Sequence, residues 1–270
     1  MSVFSENEIG TLRLWDHVAS HFRRQYLAHS GDGYQFKDIA FREVYGELIT
    51  QTIQMLPAHP KILKTDLWNE GIEDGRNLVA FAETAGTDSA PVCIDISAYV
   101  CESARKSCKS DLSIVQATLL AFPFRPLFDF VIDASTVDHM PKRLRAIWIK
   151  AESEVLRRGG YLLIAFDCRL NLFNELYHRL FTRKLYPEWT LVPSEVRAQL
   201  SSLGFSVVRE HAIFIAGFFW GTHRPLFPFA RVLRRKSVFA SMKRLELSKH
   251  SRWFSFIAPQ YVIVARKNNT

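Results

Sequence analysis

The sequence predicts an α/β fold: a doubly wound, mostly parallel seven-stranded sheet with an antiparallel edge pair, preceded by an N-terminal helical cap. Three observations predict it. Phe128 to Asp167 reads as a buried strand (FDFVIDA), an amphipathic run, a Gly-Gly turn and a second buried strand (YLLIAFD). Upstream, short apolar runs alternate with helical ones, and PVCIDIS ends on the acidic side, with Asp95 where open α/β sheets gather their ligands. Near the C-terminus FSVV and YVIVARK are separated by Arg231 to Ser251, too charged for a clean crossover helix, which predicts an antiparallel pair.

The elements follow in order. Leu12, Trp15, Val18, Ala19 and Phe22 mark one helix face, and Ile39 to Met55 marks a second helix after the turn cluster AHSGDGYQF. Pro57 and Pro60 stop it, so residues 1–56 form the cap and 57–270 the α/β domain. Strands are expected at Lys61 to Asp66, Pro91 to Ser97 and Ser113 to Ala117, then at the two runs above. A helix over Asn171 to Leu185 and another capped by Ser194 and ended by Gly204 precede the last two strands. A basic, aromatic insertion spans about 218–258.

At 270 residues the chain can bury one large core. Cys93, Cys101, Cys108 and Cys168 show no CxxC pattern and read as small buried residues of a reducing compartment. Charge interrupts the N-terminal stretch, and no run of about 20 apolar residues occurs, which places the protein in the cytoplasm without a membrane span. The net charge of +8 is concentrated after Phe218, where cations including Arg231, Arg234, Arg235, Lys236, Lys243 and Arg244 face the single acid Glu246. Such a segment can meet an anionic substrate, nucleic acid or a membrane surface, or be a solvated face. Within it, Pro225 and Pro228 break any continuous amphipathic helix in FFWGTHRPLFPFARVLRR, leaving a loop for peripheral lipid contact.

Asp95 is the leading candidate site residue, since a carboxylate at the end of the second strand can accept both hydrogens of a ribose diol. A helix-start acid is the competing reading. The layout from Lys61 to Lys267 resembles the Rossmann-like class I S-adenosylmethionine-dependent methyltransferases. The resemblance rests on KILKTD, VCIDIS, IVQATLLAFPF, FDFVIDASTVDHM, LRRGGYLLIAFD and SEVRAQLSSLGFSVV in that order. It implies S-adenosyl-L-methionine as cofactor, held by Thr65, Asp66 and Gly71 after the first strand, by Asp95 and Ile96 after the second, and by Asp133, Ala134 and Ser135 after the fourth. Two departures stand out. KTDLWNEG replaces the family's glycine-rich loop, so that Asp66 is expected to reach the methionine ammonium, and Ala117 and Thr118 stand where an acid often meets the adenine.

Methyl transfer needs alignment more than acid-base machinery, though a hydroxyl acceptor benefits from a base. His139 and Asp138 are the nearest groups for that work; packing of His139 and helix capping by Asp138 are the alternatives. His17 and His21, one turn apart, and Trp220 are candidates for acceptor contact, and without a third ligand the histidine pair predicts no metal. The expected acceptor is an oxygen or nitrogen of a small molecule of lipid-linked, glycosidic or polyketide-like type. An RNA methyltransferase and a non-enzymatic module of the same fold are the other readings, whereas nicotinamide chemistry would need a GxGxxG that is absent.

Overall fold

The computed structural model describes residues 12–28, 32–72, 91–107, 113–117, 127–180, 187–215 and 235–269. Helices α1 (Leu12–Ala28) and α2 (Asp32–Ile53) lead into β1 (Ile62–Lys64) and a short α3 (Trp68–Gly71). Then come β2 (Val92–Asp95), α4 (Ala98–Ser107), β3 (Ser113–Gln116), β4 (Phe128–Ala134), α5 (Lys142–Val155) and β5 (Leu156–Asp167). Helices α6 (Leu172–Leu180) and α7 (Pro193–Ser202), β6 (Phe205–Ile213), α8 (Lys236–Glu246) and β7 (Gln260–Lys267) complete the described elements. The sheet has seven strands in the order β3-β2-β1-β4-β5-β7-β6. The first five run parallel, and β7 lies antiparallel between β5 and β6.

The period-two pattern of the strands sends alternate residues to opposite faces. Leu63, Val131, Leu162 and Ile164 pack on one side with Trp148 and Ile149 of α5 and Val196 and Leu200 of α7. Ile62, Phe130, Ile132, Leu163 and Val264 pack on the other with Val44, Tyr45, Leu48 and Ile49 of α2. Helix α2 therefore covers a sheet face, while α1 lies near the edge formed by β2 and α4, with Trp15 and Val18 on Ile96.

Four local expectations differ from what is observed, the first being the turn cluster AHSGDGYQF, in which Asp32 already begins α2. The Gly-Gly pair lies inside β5, not before it: the pairing jumps from Phe128↔Leu156 to Phe130↔Tyr161, and Gly159, at φ 77°, takes the left-handed conformation this bulge requires. Ser194 caps nothing, because α7 starts one residue earlier on Pro193, whose missing N–H suits a first helical position. The charged stretch before β7 contains α8, since its cations line an amphipathic helix and need no burial. The antiparallel edge forms regardless.

Gly71 sits tightly against α4. A β-carbon there would lie 2.7 Å from the Val100 carbonyl oxygen, and the Gly71 carbonyl accepts hydrogen bonds from Ser103 Oγ at 2.6 Å and the Arg23 guanidinium. Gly71→Ala should cost about 1–3 kcal/mol, read as a lowered thermal midpoint, because the opposing atom is backbone and cannot swing away.

Candidate functional site

The carboxyl ends of β1, β2, β4 and β5 bring the candidate residues to one edge of the sheet. Asp95 ends β2, nearly buried, and both of its oxygens are engaged by backbone: Leu67 N donates to Oδ2 at 2.9 Å and Ser97 N to Oδ1 at 2.8 Å. Burial pushes its carboxyl up to about 7 against the pull of those two amides. Each oxygen keeps a lone pair for a further donor. Ile96 beside it is apolar and packed under α1.

The loop after β1 is organised by a residue that sequence reasoning passed over. Lys64 is fully buried, and its ammonium donates to the Asp66 carbonyl at 2.7 Å and to Asp66 Oδ1 at 2.9 Å, while Glu70 Oε2 lies 3.0 Å away. Burial opposes the charge on Lys64, but Asp66 and Glu70 more than offset it and the amine is held charged. The second oxygen of Asp66 is buried with no hydrogen-bond partner. Thr65 is buried alongside, with Oγ1 3.3 Å from the Ile132 carbonyl. In KTDLWNEG, then, a lysine between two carboxylates fixes a loop that glycines would otherwise shape.

After β4, Asp133 accepts from Thr136 N at 2.7 Å and from the Trp148 indole at 2.9 Å. Burial raises it to about 6 in spite of those donors. Glu152 of α5 is buried against it, and burial first, then the Asp133 charge, pushes Glu152 well above the carboxylate range. Ala134 is buried, and Ser135 adopts φ 73°, unusual for a residue with a β-carbon. Ser135 Oγ receives Gln260 Nε2 at 3.4 Å, and the Tyr45 hydroxyl donates to Gln260 Oε1 at 3.1 Å. Tyr45 thus reaches the ends of β4 and β7 from α2.

Asp138 and His139 follow in a 3-10 turn, Val137–His139. Asp138 accepts from Asp167 N at 3.0 Å, which explains its place as a tie between β4 and β5; the first turn of α5 has no side-chain cap. Burial, then the charges of Asp167 and Glu188, raise its carboxyl well above the usual range and favour the neutral acid. His139 Nδ1 lies 2.9 Å from the Pro187 carbonyl, so the ring proton belongs on Nδ1 in the neutral form and Nε2 carries the lone pair. That Nε2 is 3.9 Å from Asp138 Oδ1.

Helix α1 contacts the candidate residues through side chains other than those expected. Trp15 stands edge-on to His139 at 5.2 Å, and Asp16 accepts from Ser97 Oγ at 2.5 Å and Tyr99 N at 3.1 Å, at the start of α4. His17 is exposed and His21 rests against Phe22, so neither histidine joins this constellation. Trp220 lies outside the described residues. Among the described residues no cluster of metal-ligating side chains occurs, and the buried Cys93, Cys101 and Cys168 form no disulfide.

A methyltransferase-domain family model matches residues 71–160, a span that begins at the last residue of the atypical loop. No curated protein matches the sequence. Among solved structures, a putative methyltransferase of Haloferax volcanii in complex with the Trm112 methyltransferase activator is similar over 92% of this chain and 98% of its own, at 14% identity and TM-score 0.57. A possible histamine N-methyltransferase of Thermotoga maritima covers 96% of this chain and 100% of its own, at 14% identity and TM-score 0.56. An S-adenosylmethionine-dependent methyltransferase of Mesorhizobium loti covers 79% and 94%, at 12% identity and TM-score 0.52. The solved structures carry the fold, and the family match carries the class of reaction. Residues 71–160 therefore carry a methyltransferase domain, set in a seven-stranded fold shared with S-adenosylmethionine-dependent methyltransferases, and the cofactor these findings imply is S-adenosylmethionine.

Proposed function

We propose that this enzyme methylates an oxygen or nitrogen of a small amphiphilic molecule, and that the cofactor lies along the edge from Asp66 to Ser135. The observation that carries the acceptor class is the apolar cover beside the site: Trp15 on His139 and Tyr45 on Gln260 bring both N-terminal helices into contact with residues at the strand ends, a cover that suits a small amphiphilic acceptor. On this reading residues 1–56 act as the cap of a domain spanning 57–270.

The residues fit the cofactor. The unpartnered, buried oxygen of Asp66 suits the methionine ammonium, and the spare lone pairs of Asp95 suit ribose hydroxyls. Ile96 offers an apolar side to the base, Thr65 and Gly71 fix the loop, and Asp133, Ala134 and Ser135 form the floor beneath the reacting centre. S-adenosylmethionine supplies the electrophilic methyl group when bound. The protein aligns the acceptor and excludes water. His139 Nε2 takes the acceptor proton, and the resulting imidazolium remains hydrogen-bonded to the Pro187 carbonyl beside Asp138.

The pH dependence follows from Asp95. With its pKa raised from 3.8 to about 7 in the folded protein, Asp95 contributes stability that is present in acid and lost as pH rises through about 7. Hydroxyl donors favour the carboxylate, so cofactor affinity should rise through the same window and binding near neutrality should release protons. Calorimetry in buffers of different ionisation enthalpy reads this directly, and Asp95→Asn should abolish the buffer dependence attributable to the site.

Transfer of labelled methyl groups to a panel of hydroxylated lipids, glycosides and amines, set beside transfer RNA and ribosomal RNA, tests the acceptor class. Product from the small molecules alone supports the reading. Methylated RNA would replace it with the nucleic-acid alternative that the basic segment after Phe218 suggests.

A further inference from the structure

Helix α6 and its neighbour expose what a water-facing surface ordinarily hides. The polar Asn171, just ahead of the helix, and Glu175 within it are buried, whereas Leu172, Leu176 and Leu180, spaced four apart, are 75%, 55% and 48% exposed. This reverses the usual amphipathic arrangement. Residues 251–259 run alongside the start of α6, with Asn171 Nδ2 donating to the Ile257 carbonyl at 2.9 Å and Cys168 N to the Pro259 carbonyl at 2.8 Å. They add Trp253 and Phe256, 67% and 59% exposed. The leucine stripe and the two aromatics therefore belong to one side of the molecule, next to the ends of β5 and β7 where Asp167 and Gln260 stand.

The rim of this face is cationic. Arg169, Lys249 and Arg252 are exposed, and the Arg252 guanidinium stacks over the Trp253 ring at 5.4 Å. The acids within 167–180 and 246–259, Asp167, Glu175 and Glu246, are all buried. Trp253 and Phe256 can stack on bases, but the three exposed leucines serve no such contact, and their share of the face favours a lipid surface over a nucleic acid. A bilayer accepts every part at once: leucine side chains in the acyl boundary, tryptophan at the headgroup level, and arginine and lysine against anionic phosphates.

We propose that this face docks on an anionic lipid surface and presents the carboxyl edge of the sheet to an amphiphilic acceptor held there. The docking stands on the surface alone, and the acceptor part rests on the function proposed above. The test is sedimentation of the full chain with phosphatidylcholine vesicles and with vesicles of phosphatidylcholine and phosphatidylglycerol. Wild-type protein should partition to the anionic vesicles and not to the neutral ones, with a blue shift of tryptophan emission that Trp253→Phe reduces. L172S/L176S/L180S should lose roughly tenfold or more of the partitioning, and R169E/K249E/R252E should lose it while removing its salt dependence. All of these positions are exposed, so circular dichroism and calorimetric binding of S-adenosylhomocysteine should be unchanged. No partitioning to either vesicle, undiminished partitioning of the triple-serine variant, or concentration-dependent dimerisation that the same variant abolishes would each overturn the docking proposal. Vesicle binding without any cofactor binding would leave the docking in place and sink the functional reading instead.

Discussion

Asp95→Asn should weaken S-adenosylmethionine binding by roughly a hundredfold while leaving the protein folded. The carboxylate is placed to accept four hydrogens, two from the Leu67 and Ser97 amides and two from a diol. An asparagine keeps one oxygen and turns an NH2 toward the other set of donors, so one amide loses its acceptor and one hydroxyl meets a donor. Two charge-assisted hydrogen bonds of about 1.5–3 kcal/mol are at stake, less what the remaining oxygen recovers. Thermal unfolding should show a second, smaller loss of about 1–3 kcal/mol from the orphaned amide. Comparing calorimetric affinity with the unfolding midpoint separates the two effects.

Lys64→Met should destabilise the protein by about 3–5 kcal/mol, because it leaves the carboxylates of Asp66 and Glu70 buried without their cation. Glu70 is already raised by burial against the pull of Lys64, so losing that pull drives it toward the neutral acid. Adding Glu70→Gln to Lys64→Met should recover part of the loss, since one of the two orphaned charges is then removed. Denaturant unfolding of the single and double variants measures both. Equal midpoints for wild type and Lys64→Met would mean that the triad does not hold the loop.

Periodicity explains which parts of this architecture the sequence discloses. β4, α5 and β5 are long and strongly patterned, and the paired Phe128–Ala134 and Leu156–Asp167 segments fall where the apolar runs lie. The acid-ended β2 is legible for the same reason, and the antiparallel β7 follows from its own apolar run. The bulge at Gly159 is not, because two glycines between a helix and a strand read equally well as a turn. Helix α8 was obscured by its charge, which marks an exposed helix as readily as a loop.

The site divides along different lines. Asp95, Asp133, Ser135 and Asp138 sit at strand ends and follow from the topology. Trp15, Asp16 and Tyr45 arrive from helices distant in the chain, and on those helices an aromatic at core spacing looks like any packed residue until the partner is seen: Tyr45 meets Gln260, and Asp16 meets Ser97. Lys64 is misleading in another way. A lysine at the end of a three-residue strand suggests exposure, and only the convergence of Asp66 and Glu70 on one turn accounts for its burial. Three positions in seven residues, Lys64, Asp66 and Glu70, put one positive and two negative charges at the place where the family resemblance calls for glycine, and that substitution was the available signal.

The measurement that bears most directly on the central claim is calorimetric titration of the wild-type protein with S-adenosylhomocysteine at about pH 8, above the raised pKa of Asp95. The account predicts saturable one-to-one binding in the micromolar range, on the order of −8 kcal/mol, lost in Asp95→Asn. An absence of heat in folded protein, or binding that Asp95→Asn leaves intact, would contradict it.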